Sequence, residues 1–311
     1  MIRFLVKRIG LLIPVVFGII TATFVLMHAT PGDPALTYLG NHPTPAAIAA
    51  LHHQWGLDRS LGSQYLHFIG GLFTGDLGRS LFYNQTIVKL LALKLPPTLL
   101  LMIMGSFFGI IFSLPLAILT AVKKNKFIDH FISWVNAVIL GMPIFFIGAM
   151  GILFFALKLQ VFPVGGYGTT LREHLWSLTL PSLTIGLGLV PLLVRSLRTS
   201  VIESLDSEYV AFARSKGLKN ISIWLKYALR NGSISGLSIL GIQVGYLAGG
   251  SLVIENVFAI PGMGSFLMTG ILNRDFPVVQ GATLTFAMLV VLVYLLTDVG
   301  YALLDPRARF K

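Results

Sequence analysis

No cysteine occurs among the 311 residues of the chain. This absence excludes disulfide bonds, catalytic thiols and thiolate metal sites. Charge is also scarce, because only 11% of the residues are charged, whereas a typical soluble domain has about 25%. Since 55% of the residues are hydrophobic, the shortage of charge indicates that lipid covers much of the protein surface.

The sequence also lacks the common motifs of nucleotide and hydrolytic chemistry. A phosphate-binding P-loop requires Gly-Lys followed by Ser or Thr, and the dipeptide Gly-Lys is absent. Neither His-Glu-x-x-His nor Gly-x-Ser-x-Gly occurs. We therefore expect that the chain is not an enzyme and that it carries no catalytic, cofactor or metal site.

Long apolar runs dominate what is present, and they predict an all-α protein that crosses a membrane six times. The net charge of +11 does not indicate nucleic-acid binding, because the cations cluster between these runs. Asp298 is the main ionisable residue inside them, and a structural role is favoured over proton coupling. The six predicted spans are approximately residues 9–28, 98–121, 131–157, 178–195, 234–254 and 281–304.

The distribution of Lys and Arg predicts the orientation of the spans, because these residues accumulate on the cytoplasmic side. The two termini, the connection between the second and third spans, and the connection between the fourth and fifth carry 16 of the 23 cations, and the other side carries 7. Both termini and residues 196–233 are therefore expected in the cytoplasm. The first apolar run is too long for a signal peptide and predicts an uncleaved span.

The segment 29–97 is then external and has helical signals of its own. Thr44 and Pro45 predict the start of a helix and Gly56 its end. Further helical patterns cover 65–72 and 86–95. Four histidines lie here, and a polar surface is favoured over a metal site because adjacent ring positions on a helix diverge by about 100°. These histidines are His42, His52, His53 and His67.

One stretch, EYVAFARSKGLKNISIWLKYALRN at 208–231, is basic and helical between apolar runs. Tyr209, Phe212 and Ala213 predict one face of a short helix, Gly217 its end, and 221–229 a second helix. An amphipathic cytoplasmic helix lies on a lipid surface or in a groove of a partner. The small residues Ala213 and Gly217 favour a partner, because they permit close approach of the backbone.

This stretch resembles the coupling-helix signature of binding-protein-dependent ABC importer permeases, and YVAFARSKGL…YALRN is similar to the dipeptide, oligopeptide and nickel branch. The general signature begins Glu-Ala-Ala, where this chain has Ala211, Phe212 and Ala213. Further blocks resemble the branch in order along the chain, and the form of the N-terminus is similar to the B-type subunit. They are IPVVFGIITATFVLMHATPGDPA (13–35), GDLGRSL (75–81), LPPTLLL (95–101), FPVGGY (162–167), LPSLT (180–184), ENVFAIPGMG (255–264), RDFPVVQG (274–281) and LDPRAR (304–309).

The resemblance implies the type I ABC importer permease fold in the inner membrane of a prokaryote. It implies a C-type permease as heterodimer partner, two cytoplasmic ATPases that bind ATP in place of this chain, and an external solute-binding protein. The implied division is an N-terminal span 1–30, an external helical segment 31–94, a transmembrane core 95–305 with the coupling segment 199–231, and a tail 306–311. The residues implied to couple to the ATPases are Glu208, Tyr209, Ala213, Arg214, Lys216, Gly217 and Leu218.

The residues alone leave two other classes open, a secondary transporter or channel and a membrane enzyme or assembly factor. A flux independent of ATP would support the first, and an essential acid or histidine inside the membrane would support the second. Within the branch, peptides, nickel or metallophore complexes and glutathione-like molecules are all expected solutes.

Overall fold

The computed structural model describes residues 2–29, 31–40, 43–224 and 229–304, and their regular structure is helical apart from one isolated bridge between Arg79 and Thr86. The helices are α1 (Ile2–Ala29), α2 (Pro34–Leu39), α3 (Pro45–Trp55), α4 (Leu61–Thr74), α5 (Ile87–Val122), α6 (Phe127–Gly141), α7 (Ile144–Gly151), which continues as a π-helix (Ile152–Lys158), α8 (Leu171–Leu205), α9 (Glu208–Ser215), α10 (Asn220–Ile223), α11 (Leu229–Val257), α12 (Met263–Leu272) and α13 (Phe276–Leu304).

Within the described residues, three helices are long and apolar enough to cross a membrane, and the number rises to five if each of two bent pairs is one span. The three helices are α5, α8 and α13, and the bent pairs are α6 with α7 and its continuation, and the two halves of α11. The apolar part of α1 that meets the same composition test, Ile13–Ala29, is shorter. Each predicted span therefore lies on one of these helices or bent pairs. The helices of the second, fourth and sixth spans, α5, α8 and α13, extend beyond the predicted bounds.

The third predicted span, 131–157, lies on a bent pair of helices and not on one straight helix. α6 and the following helix meet at an angle of 100°. Met142 is extended there, with φ −88° and ψ 133°. The cause is Pro143, since a proline removes a backbone donor and disfavours helical dihedral angles in the residue before it.

One compact unit comprises residues 99–260 and the chain from residue 292, and α8 is its central helix. α8 packs against α6, α7 and α11. Glycines bring α5 and α8 together: a Cβ on Gly186 would lie 2.8 Å from Cβ of Phe108 and 3.0 Å from the backbone N of Gly109. The two backbones are therefore in direct contact at this crossing, without an intervening side chain.

The second compact unit comprises residues 2–98 and 261–291. Its local helix signals were predicted correctly, since the Thr44 side chain accepts a hydrogen bond from Ala47 N–H and Gly56 ends α3 with φ +69°. α4 and the start of α5 cover the other two predicted patterns. The apolar core of this unit consists of Ile87, Leu90, Leu91, Met263, Phe266, Val278 and Ala282.

A buried carboxylate fixes the loop between α4 and α5 in the second unit. Asp275, which is 1% exposed, accepts hydrogen bonds from the Ser80 hydroxyl at 2.5 Å and from Phe82 N–H at 3.0 Å. Its other oxygen accepts from Val278 N–H at 3.3 Å, in the first turn of α13. One side chain thus serves as the cap of a helix and as the anchor of a loop almost 200 positions away in the sequence.

Candidate coupling site

The short helix α9 is held in place by its own apolar face. Val210 and Ala213 are buried, at 0% and 4% exposure, and they pack with Ile223 of α10 and with Leu205 at the end of α8. Only Asp206 and Ser207 separate α8 from α9. The inner face therefore fixes the direction of α9 relative to the end of α8.

The opposite face of α9 is open. Tyr209 is 42% and Phe212 is 61% exposed, and the ammonium of Lys216 lies 4.5 Å from the centroid of the Phe212 ring, within range of a cation–π contact. The prediction that Tyr209, Phe212 and Ala213 share one face was wrong in this respect. Ala213 belongs to the inner face with Val210, because 210 and 213 are three positions apart and both contact the rest of the unit.

Gly217 ends α9 as predicted. Its φ is +75°, its N–H donates to Arg214 O at 2.9 Å, and Leu218 N–H donates to Ala213 O at 3.3 Å. This pair of bonds is a Schellman motif, which satisfies the last carbonyls of a helix and favours glycine at the left-handed position. A Cβ at Gly217 would have no heavy atom within 4 Å, so the constraint on this position within the chain is the backbone conformation.

The remaining predicted site residues, Glu208, Arg214, Lys216 and Leu218, are exposed with Gly217 around this outer face. Ala213 differs from them, because it is buried inside the unit and cannot approach a partner directly. The second predicted helix begins with α10, and its residues 225–228 lie outside the described part of the chain.

An ion pair between α8 and α6 was missed by the sequence reasoning. Arg198 on α8 donates two hydrogen bonds to the buried carboxylate of Asp129, from Nε at 2.9 Å and from Nη2 at 2.7 Å. Asn125 N–H donates to the same carboxylate at 2.9 Å. Asp129 is the sole acid between Asp76 and Glu173, and an acid at the start of an apolar run needs a partner; this was the available signal.

Two other acids bear on the sequence-based expectations. Glu255 is fully buried near the end of α11, one residue beyond the predicted fifth span, and it was not considered there. Asp298 is half-buried within α13 and takes part in an interaction of its own. Its predicted structural role stays a prediction.

Two histidines of the segment 31–94, His52 and His53, have separate carboxylate partners. His52 Nε2 lies 2.9 Å from both carboxylate oxygens of Asp33, and His53 Nδ1 lies 2.9 Å from Asp58. Burial of Asp33 opposes ionisation, but the hydrogen bonds from His52 and Ala35 N–H outweigh it and hold the pKa of Asp33 below its ordinary value. No group of three or more potential ligands forms a metal site within the described residues, and His42 lies outside them.

Comparison with known families decides the class of protein. The family model "Binding-protein-dependent transport system inner membrane component" matches residues 113–310, and the model of its N-terminal region matches residues 1–102. The chain belongs to this family. It is therefore a permease component of a binding-protein-dependent ABC transport system and not an enzyme, as predicted, and the other two classes have no support.

Relatives match over almost the whole length of the permease. A protein of Brucella suis biovar 1, whose assignment as a peptide permease is provisional, is 35% identical over 99% of both chains. The dipeptide transport system permease protein DppB of Lactococcus lactis is 33% identical over 99% of this chain and 100% of its own. The glutathione transport system permease protein GsiC of Escherichia coli K12 is 33% identical over both complete chains.

A solved structure shows the fold. The permease matches a chain of the MetNI methionine ABC transporter in an inward-facing conformation, with a TM-score of 0.58 and 18% identity, over 70% of this chain and 97% of that chain. The predicted all-α importer fold is thereby confirmed. Family and fold together make the permease a multi-pass protein of the inner membrane that works with ATPase and solute-binding components.

Proposed function

We propose that the permease transports peptides or related small solutes, including glutathione-like molecules, and that α9 transmits the movement of the ATPases to the membrane helices. The solute class is supported by the names of the relatives from Lactococcus lactis and Escherichia coli. The proposed partners are a C-type permease, with which the chain forms the pathway, two cytoplasmic ATPases and an external solute-binding protein. Both termini and the segment 199–231 face the cytoplasm.

One observation carries the assignment of α9: its inner face is packed against the unit, while the side chains of its outer face are exposed among the described residues. An exposed Phe212 beside Arg214 and Lys216 is costly to leave in water, and aromatic and arginine residues are enriched where proteins bind each other. The inner face of Val210 and Ala213 transmits force, since side chains in a packed cluster cannot move independently. Closure of an ATPase dimer would therefore displace α9 and the end of α8 together.

Replacement of Gly217 tests this proposal. A side chain at φ +75° adds about 1 kcal/mol of strain, and a branched one also blocks a partner that approaches the backbone. We expect Gly217→Val to reach the membrane at near-normal levels, to fail to retain the ATPases in co-purification, and to lose solute-stimulated ATP hydrolysis. Gly217→Ala should have a smaller effect, because a methyl group intrudes less.

The matched control is Gly75, which ends α4 with the same φ of +75° and also has no heavy atom within 4 Å of a Cβ. Gly75→Val adds the same kind of strain far from α9 in the sequence and should retain the ATPases. Normal ATPase retention and transport by Gly217→Val would show that α9 is not the coupling element. The solute is tested separately, by identifying the ligand of the cognate binding protein; a ligand that is neither a peptide nor peptide-like would contradict the solute class.

A further inference from the structure

Two consecutive residues of α4, Gln64 and Tyr65, contact α1 at points that are seven residues apart. Oε1 of Gln64 lies 3.1 Å from Nε2 of His28, in the last turn of α1. The hydroxyl of Tyr65 lies 2.7 Å from that of Thr21, and its ring meets that of Phe24 edge to face at 5.1 Å between centroids. Seven residues of helix extend about 10 Å. α4 therefore lies across α1 and not along it, with one flank toward the end of α1 and the other toward its middle.

The two flanks of α4 differ in polarity. Successive residues of a helix point about 100° apart, so each flank can be read from the sequence of α4. The flank on the side of Gln64 is polar, and it carries the exposed residues Ser63, His67 and Thr74. The flank on the side of Tyr65 is apolar and continues onto the outward face of α4, with Ile69, Leu72, Leu66 and Phe73. Leu66 is 70% and Phe73 is 89% exposed, so the chain itself does not cover this outward face.

The apolar flank of α4 lies at a depth where hydrocarbon surrounds α1. The apolar run of α1 ends at Met27, so Thr21 lies about 9 Å inside it. The Thr21 hydroxyl donates to Phe17 O at 2.9 Å, and the Tyr65 hydroxyl therefore donates to Thr21. Neither hydroxyl needs water, as a group in the membrane requires. Val25, between Thr21 and the end of α1, is 56% exposed, so α1 itself presents an apolar surface at this depth.

The composition and length of α4 agree with this depth. No Asp, Glu, Lys or Arg occurs between Arg59 and Asp76, on either side of α4. The 14 residues of α4 extend about 21 Å, which is too short to cross a hydrocarbon core of about 30 Å. An uncharged helix of this length is typical of an interfacial segment when its apolar side chains are not buried in a core.

We propose that α4 is an interfacial helix that lies in the surface of the bilayer beside α1. Leu66, Ile69 and Phe73 contact the acyl chains, and His67 and Thr74 lie among the headgroups. The apolar face of such a helix is buried about 5–10 Å below the headgroups, and this is the depth at which Tyr65 meets Thr21. The segment 31–94 is thereby attached to the membrane. The proposed topology decides only the leaflet, which would be the outer one, and the role of α9 does not enter.

Spin labels on single cysteines test this placement, and two pairs of neighbouring residues supply matched controls. The permease has no cysteine of its own, so each variant can be labelled before it is assembled with its transport partners in vesicles of phosphatidylethanolamine and phosphatidylglycerol. The measured quantity is the ratio of collision rates with oxygen, which concentrates among acyl chains, and with a water-soluble nickel chelate on both sides of the membrane. The pairs are Leu66→Cys with His67→Cys and Phe73→Cys with Thr74→Cys.

We expect the ratio to be several-fold higher at 66 than at 67 and at 73 than at 74. In the same variants, a fluorophore at 73 should lose emission in phospholipids with brominated acyl chains, and one at 74 should not. Equal access of the nickel chelate to all four positions would show that water covers α4 and would overturn the proposal. Labels at 66 and 73 that neither reagent reaches would show that a partner protein covers the face, and would overturn it as well. None of these variants touches α9, so either outcome leaves the coupling proposal intact.

Discussion

Arg198 and Asp129 form a two-point ion pair between α8 and the first turn of α6, with distances of 2.7 and 2.9 Å and with the carboxylate 2% exposed. Their planar groups match, because a guanidinium presents two parallel N–H donors to the two oxygens of a carboxylate. Arg198 lies ten residues before the start of α9. The ion pair fixes the end of α8 from which the proposed coupling helix starts.

Loss of Arg198 should be strongly destabilising. Arg198→Gln leaves the buried carboxylate of Asp129 without its cation, which costs on the order of 3 kcal/mol. The change should appear as a lower midpoint of thermal unfolding in detergent. Lys124→Gln is the control, since Lys124 and Asp206 are 3.7 Å apart and both exposed, and such pairs contribute about 1 kcal/mol or less. Equal effects of the two variants would show that the buried pair does not stabilise the unit.

A methyl group at Gly186 should separate α5 from α8. The nearest atoms to a Cβ there include the backbone N of Gly109 at 3.0 Å and the backbone O of Gly105 at 3.2 Å, and neither can move without its helix. We expect Gly186→Ala to destabilise the protein by about 1 to 3 kcal/mol, measured as thermal unfolding or as the yield of monodisperse protein. Gly188→Ala should be milder, because its Cβ would meet only the side chain of Ile144. A harmless Gly186→Ala would contradict the close backbone contact.

The Asp33–His52 contact should weaken in strong acid. The pKa of Asp33 lies below its ordinary value of 3.8, so its stabilising contribution is fully present above about pH 4 and is lost as the pH falls through the lowered value. The protection factors of the amides in α2 and α3 against hydrogen exchange, which correct for the intrinsic rate at each pH, should therefore fall below that pH. Asp33→Asn should show faster exchange at pH 5 and a smaller further change in acid. An acid response that is the same in both proteins would exclude Asp33 as its source.

The orientation of the chain can be tested with reporters. The excess of Lys and Arg predicts that a fusion after Lys311 reports a cytoplasmic location and that an insertion near Asn41 reports an external one. Alkaline phosphatase, active only outside, and green fluorescent protein, fluorescent inside, give opposite readouts at each position. If both reporters gave the opposite readout, the proposed topology would be inverted. α9 would then lie outside the cell, where it could not contact the cytoplasmic ATPases.

Structural features whose physical cause lies within a few residues could be predicted from the sequence. Gly56 and Gly217 were predicted as helix ends, because a left-handed residue at a helix end favours glycine whatever surrounds it. The two faces of α9 were not predicted correctly. The spacing of apolar residues shows which side chains share a face, but not whether that face packs within the chain or against another protein. Arg198 and Asp129 are 69 positions apart, and no spacing rule connects them. The bend after Met142 was available from Pro143, but the apolar composition on both sides concealed it.

The length of α8 has a mechanical consequence. Its 35 residues extend about 52 Å at 1.5 Å per residue, whereas the hydrocarbon core of a bilayer is about 30 Å thick. Roughly 20 Å of this rod must therefore stand outside the hydrocarbon or tilt within it. Because only Asp206 and Ser207 join the rod to α9, the proposed movement of α9 would act directly on the end of α8, near the point where Leu197 meets Gly236 of α11. A single continuous helix would then carry this movement from the membrane surface into the membrane.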